Sequence, residues 1–426
     1  MPEPRTLGSG LVWGFATALA MWVVAFLGHM PGVPQAPAII GVGLLLCQAA
    51  GAIATRRART GLIASLVAGS LNLLALGSVL TDAEADPSGH VTNQDAIPGA
   101  AIYILGYLAA STALGVLGGW IGSRLGRPRA FEPLPRFALV AALAVAPLLL
   151  VGGLVTGTKS GMAVPDWPSS YSANMFLFPL SMMTGGVFYE HAHRLFGSFV
   201  GLTFLTLALW TIAAEPRRWV KFFAAALFAL VCVQGYLGGK RVIDNAAAMG
   251  VIHGVLGQIT FGLAVALAVS MTSAFRSAAQ PADGAAAPTR RSITPGLAIA
   301  ALVTLVIQLS FGALFRQMGS KHALWSHVLF ALVPAVLVMV VGFASARGKG
   351  GPPVQRLAAR LGKALNHSMG LQLLLGGAAL WAVIAHPGVD NPAWPRVLIG
   401  TAHQFNGAVL VGLLAGVTTL ALRMKR

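Results

Sequence analysis

"FYEHAHRLFGSFVGLTFLTLALWTIAAEPRR", residues 188–218, decides what kind of molecule this is. A carboxylate, two imidazoles and a guanidinium crowd into positions 190–194, and the chain then runs without a charge until Glu215, Arg217 and Arg218. An apolar run of about 20 residues wound as a helix spans about 30 Å, the thickness of bilayer hydrocarbon. Backbone groups facing lipid must be satisfied within their own segment. The stretch therefore predicts a membrane-spanning helix with a polar cluster at one mouth and basic residues at the other.

The same pattern recurs along all 426 residues, centred near residues 18, 45, 70, 110, 146, 200, 229, 260, 304, 332, 374 and 410, which predicts an all-α membrane protein of about twelve spans. With 56% hydrophobic residues, 10% charged residues and a mean hydropathy of +0.76, the composition excludes an ordinary soluble globular chain. The first segment, Leu7 to Leu27, is long for a signal-peptide core and lacks a small-residue cleavage site, so it reads as a retained helix.

A net charge of +17 would suit nucleic acid, but the basic residues mark one side of a membrane instead. Arg56, Arg57 and Arg59, then Arg124, Arg127, Arg129 and Arg136, then Arg217, Arg218 and Lys221 fall in alternate connections. The series continues through Arg276, Arg290 and Arg291 to Arg347, Lys349, Arg356 and Arg360 and ends at Arg426. Cytoplasmic loops carry this bias, which predicts that both termini are cytoplasmic. Lipid is the expected surroundings, with no nucleic acid partner. Cys47 and Cys232 lie in apolar segments, so no disulfide framework is expected.

The opposite side receives the acidic loop "TDAEADPSGHVTNQD" (81–95), the long loop 156–186 containing "PDWP" (165–168), and shorter loops at 238–245, 315–325 and 386–396. "SAAQPADGAAAPTRRS" (277–292) reads as a flexible cytoplasmic linker that divides the last eight spans into four and four. The expected domains are an amino-terminal four-helix block (1–130), a first half (131–276), the linker, and a second half (293–426). Within them "VQGYLGG" (233–239), "IQLSFGA" (307–313) and "LQLLLGG" (371–377) place Gln and Gly at the same offsets, a weak sign of internal repetition.

The histidines strengthen that sign. His193, His253, His327 and His403 each lie near the outward start of an alternate span, in "EHAHRLFG", "GVIHGVLG", "LWSHVLFA" and "GTAHQFNG". One histidine on a membrane helix is commonly a packing residue, but four at one depth point to function, because polar side chains in spans are costly. Paired imidazoles from facing helices suit six-coordinate haem iron, with zinc as the competing use. His29, His90, His322 and His386 fall in or beside outward loops and His367 near the cytoplasmic start of a span, where solvated roles suffice. His191 points about 200° around the helix from His193.

Glu190, His193 and Arg194 share one helix face, at spacings of one turn. An ion pair between Glu190 and Arg194 would explain two of them. Three positions before the other histidines, however, stand Gly250, Leu324 and Gly400, so only one of four sites carries a carboxylate. That asymmetry predicts chemistry in one half and a bound redox group in the other.

At this point the chain resembles the haem A synthase family. "EHAHR" matches its Glu-x-x-His-Arg motif, "PDWP" its first outward loop and "TAHQFNGAVL" (401–410) its last histidine helix; the resemblance covers roughly residues 137–424. It implies eight helices in two pseudo-symmetric four-helix bundles, with haem sites near the outward face. It also implies oxidation of the C8 methyl of haem O to the formyl of haem A, for cytochrome oxidase assembly. By motif position His193 and His253 would hold the substrate haem, His327 and His403 a haem b, and Glu190 would be the catalytic carboxylate.

Haem propionates need cationic neighbours, for which Arg194 and Arg241 are the leading candidates, followed by Arg316 and Arg396. Haem O synthase and terminal oxidase assembly factors are the implied partners, and the electron acceptor is not implied. Two features depart from the family: the outward loops lack its cysteine pair, and the block 1–130 is extra, read as an added domain for stability or docking. A di-haem cytochrome that only relays electrons, and a twelve-helix transporter, are the alternatives.

Overall fold

A computed structural model describes residues 4–34, 36–86, 89–128, 130–278, 294–347, 352–387 and 393–425. Beyond Ala278, the expected linker lies outside the described residues. The elements are α1 (Pro4–His29), α2 (Pro37–Thr55), α3 (Ala58–Leu76), β1 (Thr81–Ala85), β2 (Val91–Ala96), α4 (Ala100–Leu125), α5 (Pro133–Gly157) and α6 (Gly185–Ala214). They continue with α7 (Arg218–Ile243), α8 (Ala247–Ser270), a short α9 (Ser273–Ser277), α10 (Pro295–Met318), α11 (Lys321–Phe330), α12 (Leu332–Ala346), α13 (Pro353–Ala385) and α14 (Trp394–Lys425).

Among the described residues 12 helical stretches are long and apolar enough to cross a membrane, one at each expected position, with α11 and α12 forming a single span. The break between those two has a local cause. Pro334 has no N–H to offer the carbonyl of Phe330, and the regular bonding resumes with Ala335 N–H on the carbonyl of Ala331 at 3.1 Å.

The chain forms two compact units, one of Met1–Pro147 with Ser160–Thr203, the other of Leu148–Lys159 with Phe204–Arg426. In the first, α1 packs on α2 and α3, and α4 packs on the same two helices. The α3–α4 crossing is close because Gly61 and Gly115 face each other; a Cβ on either would collide with the other's carbonyl oxygen. Small residues let membrane helices approach where no hydrophobic effect drives them together.

An aromatic seam then joins α1 to α5 and α6. Phe15 meets Phe137 edge-on at 5.0 Å, Trp22 lies 5.7 Å from Phe196 and 5.0 Å from Phe199, and Phe26 stacks on Phe188 at 5.3 Å. Trp22 is buried at the centre of this seam. Trp22→Ala should destabilise the protein by about 3 kcal/mol through lost packing and the cavity left behind. Thermal unfolding in detergent would register it as a clear fall in midpoint, whereas an unchanged midpoint would mean the seam contributes little.

The acidic stretch 81–95, expected as a loop, is an antiparallel hairpin. Thr81 pairs with Ala96 and Glu84 with Asn93. Asp86 organises the turn: its carboxylate accepts from His90 N–H at 3.0 Å and its carbonyl accepts from Gly89 N–H at 2.9 Å, with Gly89 at φ +88°. Asp and Gly favour such turns for these reasons.

In the second unit α10, α12, α13 and α14 share one core, in which Ala301, Leu305, Val338, Val341, Leu365 and Leu414 are buried. Helix α8 packs against α7, α10 and α14. The tight turn between α10 and α11 is set by Gly319 at φ +66° and by Ser320, whose Oγ accepts from Ala323 N–H at 3.2 Å as the cap of α11.

Candidate functional site

In the first unit the start of α6 is wrapped by the loop 160–184. Glu190 is 4% exposed, and both its oxygens are fixed. Oε2 accepts from Val164 N–H at 2.9 Å and Oε1 from Arg194 Nη2 at 2.8 Å. Arg194 also donates from Nη1 to the carbonyls of Asp166 at 2.7 Å and Ser169 at 2.8 Å, and from Nη2 to that of Val164 at 3.2 Å. Four of its donors are thus engaged within the protein. Arginine's rigid fork suits this clamp across several carbonyls.

His191 points away from His193, as helix geometry requires, and serves the loop. It is fully buried, with Nδ1 3.1 Å from Ser170 Oγ and its ring 5.0 Å from that of Phe178. Asp166, in "PDWP", turns the loop back on itself by accepting from Tyr171 N–H and Ser172 N–H, both at 2.7 Å. Burial raises the Asp166 carboxyl, but hydrogen bonds from Ser169, Ser172 and Tyr171 outweigh it and hold the group below the usual carboxylate range. Its stabilisation of the loop is therefore present above the ordinary carboxyl value and lost as pH falls through the lowered one. Asp166, Ser170 and Tyr171 escaped the sequence reading as individuals, although "PDWP" drew notice to their segment.

In the second unit the Gln and Gly of each repeated segment meet a histidine. His327 Nδ1 lies 2.9 Å from the carbonyl of Gln308, and Gln308 Nε2 donates to the carbonyl of His327 at 2.7 Å. His253 Nδ1 lies 2.8 Å from the side-chain amide of Gln234. The Gln372 amide is 3.5 Å from His403 Nε2, the outer limit of a hydrogen bond, and is itself held by Asn406 Nδ2 at 2.7 Å. Four residues beyond each Gln, a glycine lets the ring lie against the helix. A Cβ would stand 3.4 Å from His253 Cε1 at Gly238, 3.0 Å from His327 Cε1 at Gly312 and 3.2 Å from His403 Cε1 at Gly376.

The contact at His327 fits haem ligation, and the His403 ring lies opposite it. A carbonyl only accepts, so His327 carries its proton on Nδ1 and presents the Nε2 lone pair, the arrangement that orients metal-bound histidines. The two rings are 5.9 Å apart between centroids and inclined at 83°. Two metal–nitrogen bonds of about 2 Å on opposite sides of one ion put ring centres about 6 Å apart. Among the described residues no group of three or more His, Cys, Asp or Glu comes together as a tetrahedral zinc site needs.

His193 belongs to the first unit and His253 to the second, so their pairing rests on the sequence motif. The positions that correspond to Glu190 are filled differently: beside Gly250 lie Arg241 and Gln317, and Arg316 Nη1 donates to the carbonyl of Gly400 at 3.3 Å. Arg316 also donates to Gln404 Oε1 and to the carbonyl of Gly153 at 3.0 Å, with no carboxylate partner among the described residues. Arg396 Nη1 donates to the carbonyl of His386 at 3.3 Å.

Comparison with known proteins agrees with the motifs. The family described as cytochrome oxidase assembly protein matches residues 170–324. Relatives named haem A synthase include those of Erythrobacter litoralis, 26% identical over 65% of this chain and 99% of the relative, and Caulobacter sp. K31, 25% identical over 69% and 97%. The Exiguobacterium sp. AT1b relative is 27% identical over 45% of this chain, which spans 60% of that relative's length. Motif, helix count and relatives converge: over most of its length the chain is similar to the haem A synthases.

Proposed function

We propose that this protein is a haem A synthase that oxidises the C8 methyl of haem O to a formyl group, giving haem A for terminal oxidases. The observation that carries the reading is Glu190. It is a buried carboxylate one helical turn from His193, with both oxygens fixed, and the three other histidine helices have no counterpart. In this reading His193 and His253 hold the substrate, and His327 and His403 hold haem b. The recurring Gln, Gly and His contacts support two pseudo-symmetric halves, 131–276 and 293–426.

Bound between His327 and His403, haem b would supply one-electron transfer. The rest of the task falls to the chain. Each oxidation takes in a water, forms a C–O bond in place of a C–H bond, and releases two protons and two electrons, the electrons leaving one at a time to an external electron acceptor. Two such rounds give a gem-diol, which loses water to leave the formyl. Each Glu190 oxygen has one lone pair engaged and another available, so the side chain accepts a proton from the incoming water without losing its hold on Val164 and Arg194. Arg241 and Arg316, each beside the residue three before a histidine, are placed to neutralise propionates. The basic-loop bias supports termini in the cytoplasm, and with that orientation the haem sites lie toward the outer face of the cell membrane. Haem O synthase and oxidase assembly factors are the partners this activity needs.

A di-haem relay would use the His327–His403 pair equally well but leaves Glu190 with only its structural contacts to Val164 and Arg194. Co-expression with a haem O synthase, followed by extraction of the pigments, separates the two. Haem A or its hydroxylated precursor is the expected result, and haem O accumulating unchanged would overturn the synthase reading in favour of the relay.

A further inference from the structure

The loop that fixes Glu190 is itself held by the amino-terminal block. On its outer side the hairpin grips it: Gln94 Oε1 accepts from Asn174 N–H at 3.2 Å, Gln94 Nε2 donates to the carbonyl of Leu177 at 2.7 Å, and Val91 N–H donates to the carbonyl of Tyr171 at 2.9 Å. Just before the hairpin, the carbonyl of Ser78 accepts from Leu180 N–H at 2.9 Å. On its inner side Tyr171 Oη donates to the carbonyl of Ala163 at 2.6 Å, and the next residue, Val164, donates to Glu190.

We infer that the β-hairpin of the amino-terminal block is a positioning brace for Glu190, with Gln94 as its principal positioning residue. The inference rests on the reading of Glu190 as the catalytic carboxylate.

Four physical points carry it. A loop of this length whose regular structure is one 3-10 turn at Leu180–Met182 and a single bridge between Ser170 and Ala173 opens easily unless something ties it down. Tyr171 and Ser172 adopt left-handed backbone angles, φ 52° and 67°, which side-chain-bearing residues keep only where their surroundings over-determine them. Asp166 holds this pair from the Glu190 side, and Val91 holds it from the hairpin side. The loop contains no cysteine, so no covalent link takes over the task. Gln94 presents a donor and an acceptor on one amide and bridges Asn174 and Leu177, which themselves form a turn with Leu177 N–H on the carbonyl of Asn174 at 3.0 Å. Its own backbone pairs with Ala83 in the hairpin, so trimming the side chain spares the ladder.

The test compares full-length wild type, Gln94→Ala and Gln94→Glu, each loaded with haem b and assayed with haem O. In Gln94→Ala, haem b content and its visible spectrum should stay at wild-type level, while backbone amides of residues 163–177 exchange with deuterium about tenfold faster. Turnover should fall about tenfold to a hundredfold with KM within about twofold, because the carboxylate is misplaced and substrate binding is intact. Gln94→Glu keeps the acceptor and loses the donor, and should fall between the two on both measures. Unchanged exchange in both variants overturns the brace, and so does faster exchange with wild-type turnover. Glu190→Gln run in parallel keeps the two claims apart: an active Glu190→Gln enzyme removes the catalytic reading, while the exchange data still report whether the hairpin holds the loop.

Discussion

Glu190→Gln should leave the protein loaded with haem b and stop it from oxidising haem O, with turnover down about a thousandfold, within the range for loss of a general base. The substitution is nearly isosteric. Its amide oxygen can still accept from Arg194 or from Val164 N–H, so the loop 160–184 keeps much of its attachment, but the side chain can no longer take a proton at neutral pH. The remaining hazard is Arg194, left partly buried with no carboxylate beside it, and breaking such a pair is destabilising in its own right. Haem b content reports on that hazard independently of chemistry. Wild-type haem b with haem O as the extracted pigment is the expected outcome. Wild-type turnover would remove Glu190 from the mechanism and leave Glu190 and Arg194 as a clamp for the loop.

The clamp explains how an oily chain tolerates four polar side chains in five positions. Glu190 and Arg194 neutralise each other at 2.8 Å, Arg194 satisfies three carbonyls of an irregular loop, and His191 engages Ser170. Irregular backbone beside a membrane is stable where protein groups satisfy it, and this cluster supplies those groups. Fixing the base and folding the loop over it are one arrangement.

Much of this was legible in the sequence because it depends on local periodicity. The spans follow from apolar run length, and the shared face of Glu190, His193 and Arg194 follows from 3.6 residues per turn. Gln234, Gln308 and Gln372 with their glycines were visible as a repeat, but their contact with histidines on the next span was not, since spacing along one helix says nothing of the neighbour's rotation. Arg194 shows the same limit: its charge suggested an anion, while its carbonyl partners lie 25 to 30 residues away in the chain. The hairpin was hidden more deeply. Its strands are short and polar, and the Gln94 contacts join residues 80 and 83 apart, a pairing no window of local sequence contains.

His327→Ala should abolish retention of haem b while the substrate-side residues stay intact. His327 has its Nδ1 on the backbone carbonyl of Gln308, so its Nε2 is presented as a ligand at little conformational cost, and removing it leaves His403 with no opposing imidazole. The expected signature is loss of the low-spin haem b bands, read by reduced-minus-oxidised spectra and by haem extraction. Gly312→Val provides a second approach that keeps the histidine. A Cβ at that position already meets His327 Cε1 at 3.0 Å, and the added methyl groups would push the ring off its Gln308 carbonyl, so haem b should be held weakly rather than lost outright. Both variants should still fold, because the core of α10, α12, α13 and α14 is built from Leu305, Val338, Leu365 and Leu414, and neither substituted residue belongs to it. Full haem b content in His327→Ala would dissolve the proposed His327–His403 pair, and Gly312→Val indistinguishable from wild type would show that the close approach of ring and helix has no bearing on haem retention.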